Sequence, residues 1–307
     1  MTAIEFDRVS RDFAAPDGRS YRALDDISFT VSAGAFVAIV GPSGCGKSTL
    51  LNIAAGLLAP SAGRVRVDGE ALAGLNRRAT YMFQQDALLP WKTVRDNVAL
   101  GLTLGGVARP VAHARAAEWL GRVGLAGFGE HYPAQLSGGM RKRAAMAQHW
   151  IIDRGLMLMD EPFSALDVHT RVRMETELLA LWEVRSAESL ALQPSEIRSA
   201  ESLALQPSGG RAQPSGGRAF QASQIRKTVI FVTHDLEEAI ALADEVIVLS
   251  AGPSARVVAR HAVTLDRPRD LMELRTSPAF NELYRALWGV LREEVARSQR
   301  TVEPPRG

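Results

Sequence analysis

The stretch GPSGCGKST, residues 41–49, decides the fold class of this chain. It follows the apolar run AFVAIV at 35–40, which has the length and composition of a buried strand. Apolar residues then recur at helical spacing, at Leu50, Ile53, Ala54 and Leu57. A strand, a glycine-rich loop and a helix in this order predict a phosphate-binding loop in an α/β fold. Glycines let backbone N–H groups turn toward phosphate, and the helix N-terminus adds a partial positive charge.

The loop carries side chains suited to a nucleotide and Mg²⁺. Lys47 is placed to neutralise the outer phosphates, and the Ser48 hydroxyl is placed to ligate Mg²⁺. The predicted nucleotide-binding residues of the loop are Gly41, Pro42, Ser43, Gly44, Cys45, Gly46, Lys47, Ser48 and Thr49. Cys45 has two interpretations: a thiol acidified by the helix N-terminus, or a small residue that fits a crowded loop. We favour the second.

Composition excludes several classes of protein to which the chain could otherwise belong. It has 307 residues and one cysteine, which excludes a disulfide framework. The formal net charge is +2, so no bulk electrostatic attraction to nucleic acid or to an anionic surface is expected. The start, MTAIEFDRVSRDF, is too charged for a signal peptide, and no run of 18 apolar residues occurs. We therefore expect a cytoplasmic protein whose role at a membrane, if any, depends on a partner.

A second motif is LMLMDEPFSALD, residues 156–167, in which four apolar residues lead into two adjacent carboxylates. A buried strand would deliver Asp160 and Glu161 to its carboxyl end, where open α/β sheets bind ligands. Asp160 is placed to hold Mg²⁺, and Glu161 to orient or deprotonate the attacking water. Alone, this stretch would be interpreted as an acidic turn after a core strand, and the upstream phosphate loop favours the catalytic interpretation.

A third apolar run, TVIFVTHD at 228–235, leads to His234. An imidazole at this strand end is placed to contact the terminal phosphate and to sense its presence. Asp235 and Glu238 predict a helix N-cap and its capping-box partner.

The stretch LSGGMRKR, residues 136–143, predicts a second helix N-terminus able to meet an anion. One nucleotide does not need two such sites in one chain. With these motifs in this order, the chain resembles the ATP-binding subunits of ABC transporters. The resemblance implies a RecA-like P-loop nucleotide-binding core with an antiparallel β subdomain and a helical subdomain. It also implies a head-to-tail homodimer in which each ATP lies between the phosphate loop of one copy and the LSGG helix of the other. The residues that would act across that interface are Ser137, Gly138, Gly139 and Asp167, the last in the stretch SALD.

The same resemblance assigns further roles. Phe13 takes the place of the aromatic residue that stacks on adenine. Gln84 matches the glutamine that reaches Mg²⁺ or water and links the nucleotide to the permease, with Phe83 favouring it over the adjacent Gln85. The implied catalytic residues are Lys47, Gln84, Glu161 and His234, and the implied metal ligands are Ser48, Gln84 and Asp160. The implied cofactors are ATP and Mg²⁺.

The stretch FQQDALLPWKTVRDNVALGL, at 83–102, is similar to importer ATPases for nitrate, alkanesulfonates and taurine. This likeness implies two permease subunits as partners, an external solute-binding protein as an indirect one, and a peripheral position on the cytoplasmic face of the inner membrane. An exporter or lipid-handling ATPase is the main alternative. A soluble ABC ATPase acting on DNA or ribosomes is disfavoured because the chain has neither heptads nor a second phosphate loop.

The predicted ATPase domain spans 1–250, with its helical subdomain at about 92–150, and a C-terminal extension spans 251–307. Residues 185–224 interrupt the domain with two tandem duplications, RSAESLALQPS and QPSGGRA. We interpret this segment as a low-complexity expansion of a surface loop, with a regulatory role as the alternative. The extension predicts an amphipathic helix with the stripe Phe280, Leu283, Tyr284, Leu287, Leu291 and Val295. We expect that stripe to pack on its own domain rather than on a partner.

Overall fold

The computed structural model describes residues 1–14, 20–164, 166–188 and 226–302. The predicted repeat insertion lies outside the described residues from position 189 onward. The strands are β1 Thr2–Ala14, β2 Ser20–Ser32, β3 Phe36–Val40, β4 Ala62–Val67, β5 Glu70–Ala71, β6 Ala79–Met82, β7 Leu156–Asp160, β8 Thr228–Val232, β9 Glu245–Leu249 and β10 Val257–Ala262. The helices are α1 Lys47–Ala54, α2 Val94–Leu104, α3 Arg109–Arg122, α4 Gly138–Trp150, α5 Val168–Glu188, α6 Leu236–Leu242, α7 Leu271–Leu274 and α8 Pro278–Val302.

Six strands form the central sheet, in the order β10-β9-β3-β8-β7-β6. The five strands from β9 to β6 run parallel, and β10 is antiparallel to β9. The central strands are buried on both faces, since Phe36 and Ala38 of β3 point into one apolar core and Val37 and Ile39 into another. This is the burial expected of a parallel sheet covered on both sides. The strands predicted at 35–40 and 156–160 are confirmed.

An antiparallel sheet, in the order β2-β1-β4-β5, covers one side of the central sheet. Its apolar residues share a core with α1 and with the central strands. The other side is covered by helices, and there Phe36 packs edge-on against Trp182 of α5, with ring centroids 5.6 Å apart. This confirms the predicted α/β fold with an antiparallel β portion. Helices α2, α3 and α4 fall within the predicted helical subdomain, whose limits stay a prediction.

The C-terminal helix α8 packs on the main apolar core. Phe280, Leu287 and Leu291 are buried, and the other three members of the predicted stripe are partly buried against the same core. The expectation that this stripe packs on its own domain is confirmed. In the described part of the chain, no helix has the length and apolar character needed to cross a membrane.

Helix α1 ends earlier than the apolar spacing predicts. Leu57 lies beyond the helix and is exposed. The helix closes with two hydrogen bonds, from Gly56 N to Ile53 O at 3.0 Å and from Leu57 N to Asn52 O at 2.9 Å. This is the Schellman pattern, in which the residue after the cap takes a left-handed conformation. Gly56 has φ +70°, and a Cβ there would lie 1.9 Å from Gly74 O.

The capping-box prediction is half wrong. Asp235 caps α6 as predicted, since its carboxylate accepts from Glu237 N at 2.9 Å and Glu238 N at 3.3 Å. The Glu238 carboxylate does not return to Asp235 N, because the Thr233 hydroxyl lies between them. That hydroxyl accepts from Asp235 N at 2.9 Å and donates to Glu238 Oε2 at 2.6 Å.

We predict that Gly56→Ala destabilises the fold far more than Gly69→Ala. Both glycines have positive φ, but a Cβ on Gly69 meets no heavy atom within 4 Å. Gly69→Ala should cost about 1 kcal/mol of unfolding free energy. Gly56→Ala should cost roughly 3 kcal/mol or more, because backbone must also move. Thermal unfolding followed by circular dichroism measures both, and equal losses would contradict the close approach described above.

Candidate functional site

The glycine loop lies between the carboxyl end of β3 and the start of α1. Gly46 is the N-cap of α1 with φ +100°, and a Cβ there would lie 2.8 Å from Leu24 Cδ2. Only glycine fits this position without displacing Leu24. Lys47 Nζ donates to Gly41 O at 2.9 Å and to Pro42 O at 3.1 Å. The loop therefore holds a buried cation among its own backbone groups, next to a helix N-terminus that favours anions.

Cys45 is buried within this loop. Burial raises the pKa of its thiol, although nearby Lys47 opposes the rise. A raised pKa is the opposite of an acidified, reactive thiol. The structure therefore supports the interpretation of Cys45 as a small packing residue.

Asp160, at the end of β7, lies against the loop. It accepts hydrogen bonds from the Ser48 hydroxyl at 3.0 Å (Oδ1) and from the Tyr81 hydroxyl at 3.2 Å (Oδ2). Burial raises the pKa of Asp160, and the two hydroxyl hydrogen bonds oppose that rise. Burial and the Asp160 charge also raise the pKa of Tyr81, so its hydroxyl stays a donor. The structure thus brings together Ser48 and Asp160 and adds Tyr81, which the sequence analysis missed.

The Ser48 and Asp160 oxygens are hard donors of the kind that Mg²⁺ binds. Mg²⁺ is usually held by one or two protein oxygens and completed by phosphate oxygens and water. In the described residues, no group of three or more His, Cys, Asp or Glu side chains is arranged to hold a metal ion. The donor set therefore fits a metal held jointly with a phosphate ligand and does not form a closed protein cage.

Glu161 and His234 form the second half of the site. His234 Nδ1 lies 3.1 Å from Glu161 Oε2. Glu161 has φ +42°, a left-handed conformation that costs a non-glycine residue about 1–3 kcal/mol. Hydrogen bonds hold it there: Glu161 N donates to Val232 O at 2.9 Å, and Ser164 Oγ donates to Glu161 O at 3.1 Å. Such strain is typical of positions where a side chain must point in a particular direction.

Gln84 lies in the segment after β6. Its side-chain nitrogen donates to Ser164 Oγ at 3.2 Å, in the turn that follows Glu161. The backbone carbonyl of Gln84 accepts a hydrogen bond from Lys142 Nζ of α4 at 2.9 Å. Lys142 is buried and lies 3.4 Å from Asp86 Oδ1, so an ion pair helps to fix this segment. The structure places Gln84 beside the Glu161 turn, and its predicted role as metal ligand and catalytic residue stays a prediction.

Lys142 was also missed, although the sequence contains a signal for it. It is the central basic residue of MRKR in α4, and it points inward where an exposed basic face would be expected.

The LSGG turn lies at the start of α4, where Ser137 Oγ accepts from Met140 N at 3.3 Å. Asp167 precedes α5 and accepts from Thr170 N at 3.0 Å. The two helix starts are neighbours, since a Cβ on Gly139 would lie 3.1 Å from Thr170 Cγ2. Ser137 and Asp167 therefore cap their own helices. Ser137, Gly138 and Asp167 are exposed, and Gly139 is half-exposed.

Phe13 lies near the end of β1, paired in register with Tyr21 of β2. The Arg11 guanidinium stacks over the Phe13 ring, 4.7 Å from its centroid. The ring is half-exposed, which suits a stacking surface for a base.

Taken together, the site holds a phosphate-binding loop with an internal lysine, a hydroxyl–carboxylate pair suited to Mg²⁺, and a carboxylate–histidine pair at the neighbouring strand ends. This set suits hydrolysis of a bound nucleotide.

Comparisons with known proteins agree with this geometry. Residues 24–164 match the family described as ABC transporter. The chain is 38% identical to a taurine import ATP-binding protein of Rhizobium johnstonii, over 94% of this chain and 96% of that protein. It is 37% identical to an uncharacterized ABC transporter ATP-binding protein of Methanocaldococcus jannaschii, over 92% of this chain and 89% of that one. The fold is similar to a dimeric ATP-binding cassette in a post-hydrolysis state with ADP and Pi, with a TM-score of 0.63, 27% identity, and coverage of 86% of this chain and 100% of that one.

We predict that Cys45 is protected from thiol reagents in the folded protein. It is the only cysteine, so a chromogenic disulfide reagent reports on it alone. At pH 8 its modification should be at least about tenfold slower than in the denatured chain, because the thiolate is disfavoured and the sulfur is buried. The denatured chain is the control and should release one equivalent of chromophore. Rapid modification of the folded protein would contradict the packing role.

Proposed function

The chain belongs to the ABC transporter family of ATP-binding proteins, and from this membership we propose that it is the ATP-hydrolysing subunit of an importer for a small anion of the taurine, alkanesulfonate or nitrate class. The observation that carries the hydrolytic part is the Glu161–His234 pair, 3.1 Å apart, at strand ends next to the glycine loop. The importer part is supported by the taurine import relatives.

In this proposal the residues of the glycine loop bind the nucleotide, and those at the strand ends carry out hydrolysis. Lys47 and the backbone N–H groups of the loop bind the outer phosphates of ATP. Glu161 accepts the proton of the attacking water, while His234 fixes the direction of the Glu161 carboxylate and contacts the terminal phosphate. Phe13 stacks on the adenine ring. Lys47 is buried, which strengthens its electrostatic contact with phosphate.

Ser48 and Asp160 would hold Mg²⁺, with Gln84 as a third candidate. When bound, the metal would neutralise charge on the phosphates. Tyr81 would keep Asp160 oriented through its hydroxyl, since its hydrogen bond occupies Oδ2 and Ser48 lies on Oδ1. Burial raises the pKa of Asp160, and a cation close to it would oppose that rise by favouring the ionised form.

We further propose that two copies associate head to tail, so that Ser137, Gly138, Gly139 and Asp167 of one copy complete the nucleotide site of the other. The structurally similar cassette is a dimer, which supports this arrangement. The assembly would sit on two permease subunits at the cytoplasmic face of the membrane, with an external solute-binding protein as its indirect partner. No nucleic acid is part of the proposal.

The variant Glu161→Gln tests the hydrolytic role. The variant should bind ATP and dimerise, but its kcat should fall by about 100-fold or more, because the group that accepts the water proton is lost. Lys47→Ala should instead weaken ATP binding by about 10-fold or more, because a charged hydrogen bond to phosphate is lost. Steady-state phosphate release and equilibrium nucleotide binding separate the two effects. Glu118→Gln, at an exposed position of α3, is the matched control and should behave as the parent protein. Near-normal hydrolysis by Glu161→Gln would overturn the assignment.

Uptake by whole cells tests the identity of the transported solute. Cells carrying Glu161→Gln in place of the native protein should lose uptake of labelled taurine, of an alkanesulfonate or of nitrate. Loss of one of the three, with the other two unchanged, would identify the solute. In cells without a second uptake system for these solutes, unchanged uptake of all three would contradict the importer assignment for this solute class and favour another small-molecule cargo or an exporter.

A further inference from the structure

A cluster of buried and half-buried charges lies next to the turn that carries His234. We call residues 233–235 the histidine turn. The cluster consists of Arg171 and Glu175 on α5, Asp235 and Glu238 at the start of α6, and Arg275 directly after α7. Glu175 is fully buried, and Glu238 nearly so. Buried charges are costly unless they are paired, so the choice of pairs controls the local conformation.

Arg171 joins the histidine turn to the turn that follows Glu161. Its Nη1 donates to Asp235 Oδ2 at 3.0 Å, and its Nη2 donates to Leu166 O at 3.2 Å. Asp235 is adjacent to His234 in sequence and also caps α6. A shift of Arg171 away from Asp235 would therefore release the histidine turn at its base.

Arg275 binds the neighbouring carboxylate of the cluster. Its Nη2 donates to Glu175 Oε2 at 2.6 Å. Glu175 follows Arg171 by four residues on α5, so the two side chains lie on the same face of the helix. Arg275 belongs to the C-terminal extension, which is otherwise remote in sequence from the nucleotide-binding motifs.

The cluster contains two unused donors and one unused acceptor. Within the described part of the chain, Arg171 Nε, Arg275 Nε and Glu175 Oε1 are buried without a hydrogen bond. Arg171 Nε lies 3.5 Å from Glu238 Oε1, an ion-pair distance only. Glu175 lies one helical turn from Arg171 on the same face of α5, so a rotated Arg171 side chain could pair with Glu175 in place of Asp235.

We propose that Arg275 is a positioning residue for His234: by occupying Glu175 it leaves Arg171 bound to Asp235, and so holds the histidine against Glu161. The C-terminal extension then contributes to hydrolysis without touching the nucleotide. This inference rests on the proposed function, because it concerns the geometry of the Glu161–His234 pair.

The charges around Glu175 predict how the loss of activity caused by removing Arg275 changes with pH. Glu175 faces Arg171 on its own helix, Asp235 and Glu238 from α6, and Arg275 from beyond α7. Burial raises the pKa of Glu175 to about 7, and Arg275 opposes that rise. Without Arg275, Glu175 is neutral at low pH and does not attract Arg171. At higher pH it ionises and competes with Asp235, so the defect should grow as pH rises.

The test measures ATP hydrolysis by the full-length protein with Arg275→Gln. We expect kcat to fall about 5- to 10-fold at pH 8.5 and less at pH 6.5, because Arg171 is drawn away from Asp235. The KM for ATP should stay within about twofold, because the phosphate loop is untouched. Adding Glu175→Gln should restore most of kcat, because the competing carboxylate is gone. Arg173→Gln, which removes an exposed α5 arginine paired with Glu177, is the control and should leave kcat unchanged.

A spectroscopic measurement separates positioning from loss of structure. The NMR signals of the His234 ring are assigned by their absence in His234→Ala. They should shift in Arg275→Gln and return to their parental positions in the double variant Arg275→Gln/Glu175→Gln. If Arg275→Gln does not fold, Glu175→Gln alone decides, since it removes the competitor and should keep kcat within about twofold of the parent. A large loss of kcat in Glu175→Gln would overturn the proposal.

Two other results would also overturn the proposal: parental kcat in Arg275→Gln, and a loss of kcat that Glu175→Gln does not restore. Failure of this inference is distinguishable from failure of the proposed function. An inactive Glu161→Gln beside a fully active Arg275→Gln overturns only the role of Arg275, whereas an active Glu161→Gln overturns both.

Discussion

The parallel pairing of β3, β8 and β7 is the constraint on which the site depends. Parallel strands end at the same edge of a sheet, so the glycine loop, His234 and the Asp160–Glu161 pair are delivered to one place. The strand register brings these ends level, since Val232 of β8 lies opposite Ile39 of β3 on one side and Asp160 of β7 on the other. Both faces of these strands are buried, so a slip by one residue would exchange the two apolar faces of a whole strand. The apolar core, more than the polar residues, therefore sets the distances within the site.

The polar residues of the site are held in place by hydrogen-bond and ion-pair partners, which their burial makes necessary. Burial raises the pKa of Asp160, and the hydroxyls of Ser48 and Tyr81 oppose it. Burial lowers the pKa of Lys142, and Asp86 opposes that shift. A charged group in such surroundings depends on its partners, because losing one leaves a buried charge uncompensated. The same dependence makes the site preorganised, since dipoles and charges already point where the reaction needs them.

Sequence patterns located the groups that directly follow an apolar strand, because there a local motif and the sheet edge coincide. They did not locate Tyr81 or Lys142, whose partners Asp160 and Gln84 are 79 and 58 residues away in the chain. Only the strand order, which places β6 beside β7, brings Tyr81 to Asp160. The C-terminal end of α1 was predicted wrongly for a different reason. Apolar spacing continued α1 to Leu57, but the backbone hydrogen bonds at Gly56 close the helix earlier.

Arg171, which lies outside the motifs, connects the turn that follows Glu161 to the histidine turn. The turn begins at a strained residue, Glu161, and ends at Asp167, which starts α5. Arg171 holds this end through Leu166 O and holds the histidine turn through Asp235. A second copy that docks on Asp167 would therefore act on the same short segment whose first residue is the proposed base. The C-terminal extension contacts Glu175 through Arg275, one helical turn along α5 from Arg171. Because both influences meet at Arg171, the pairing of this half-buried guanidinium would link subunit contact, the C-terminal extension and the orientation of His234.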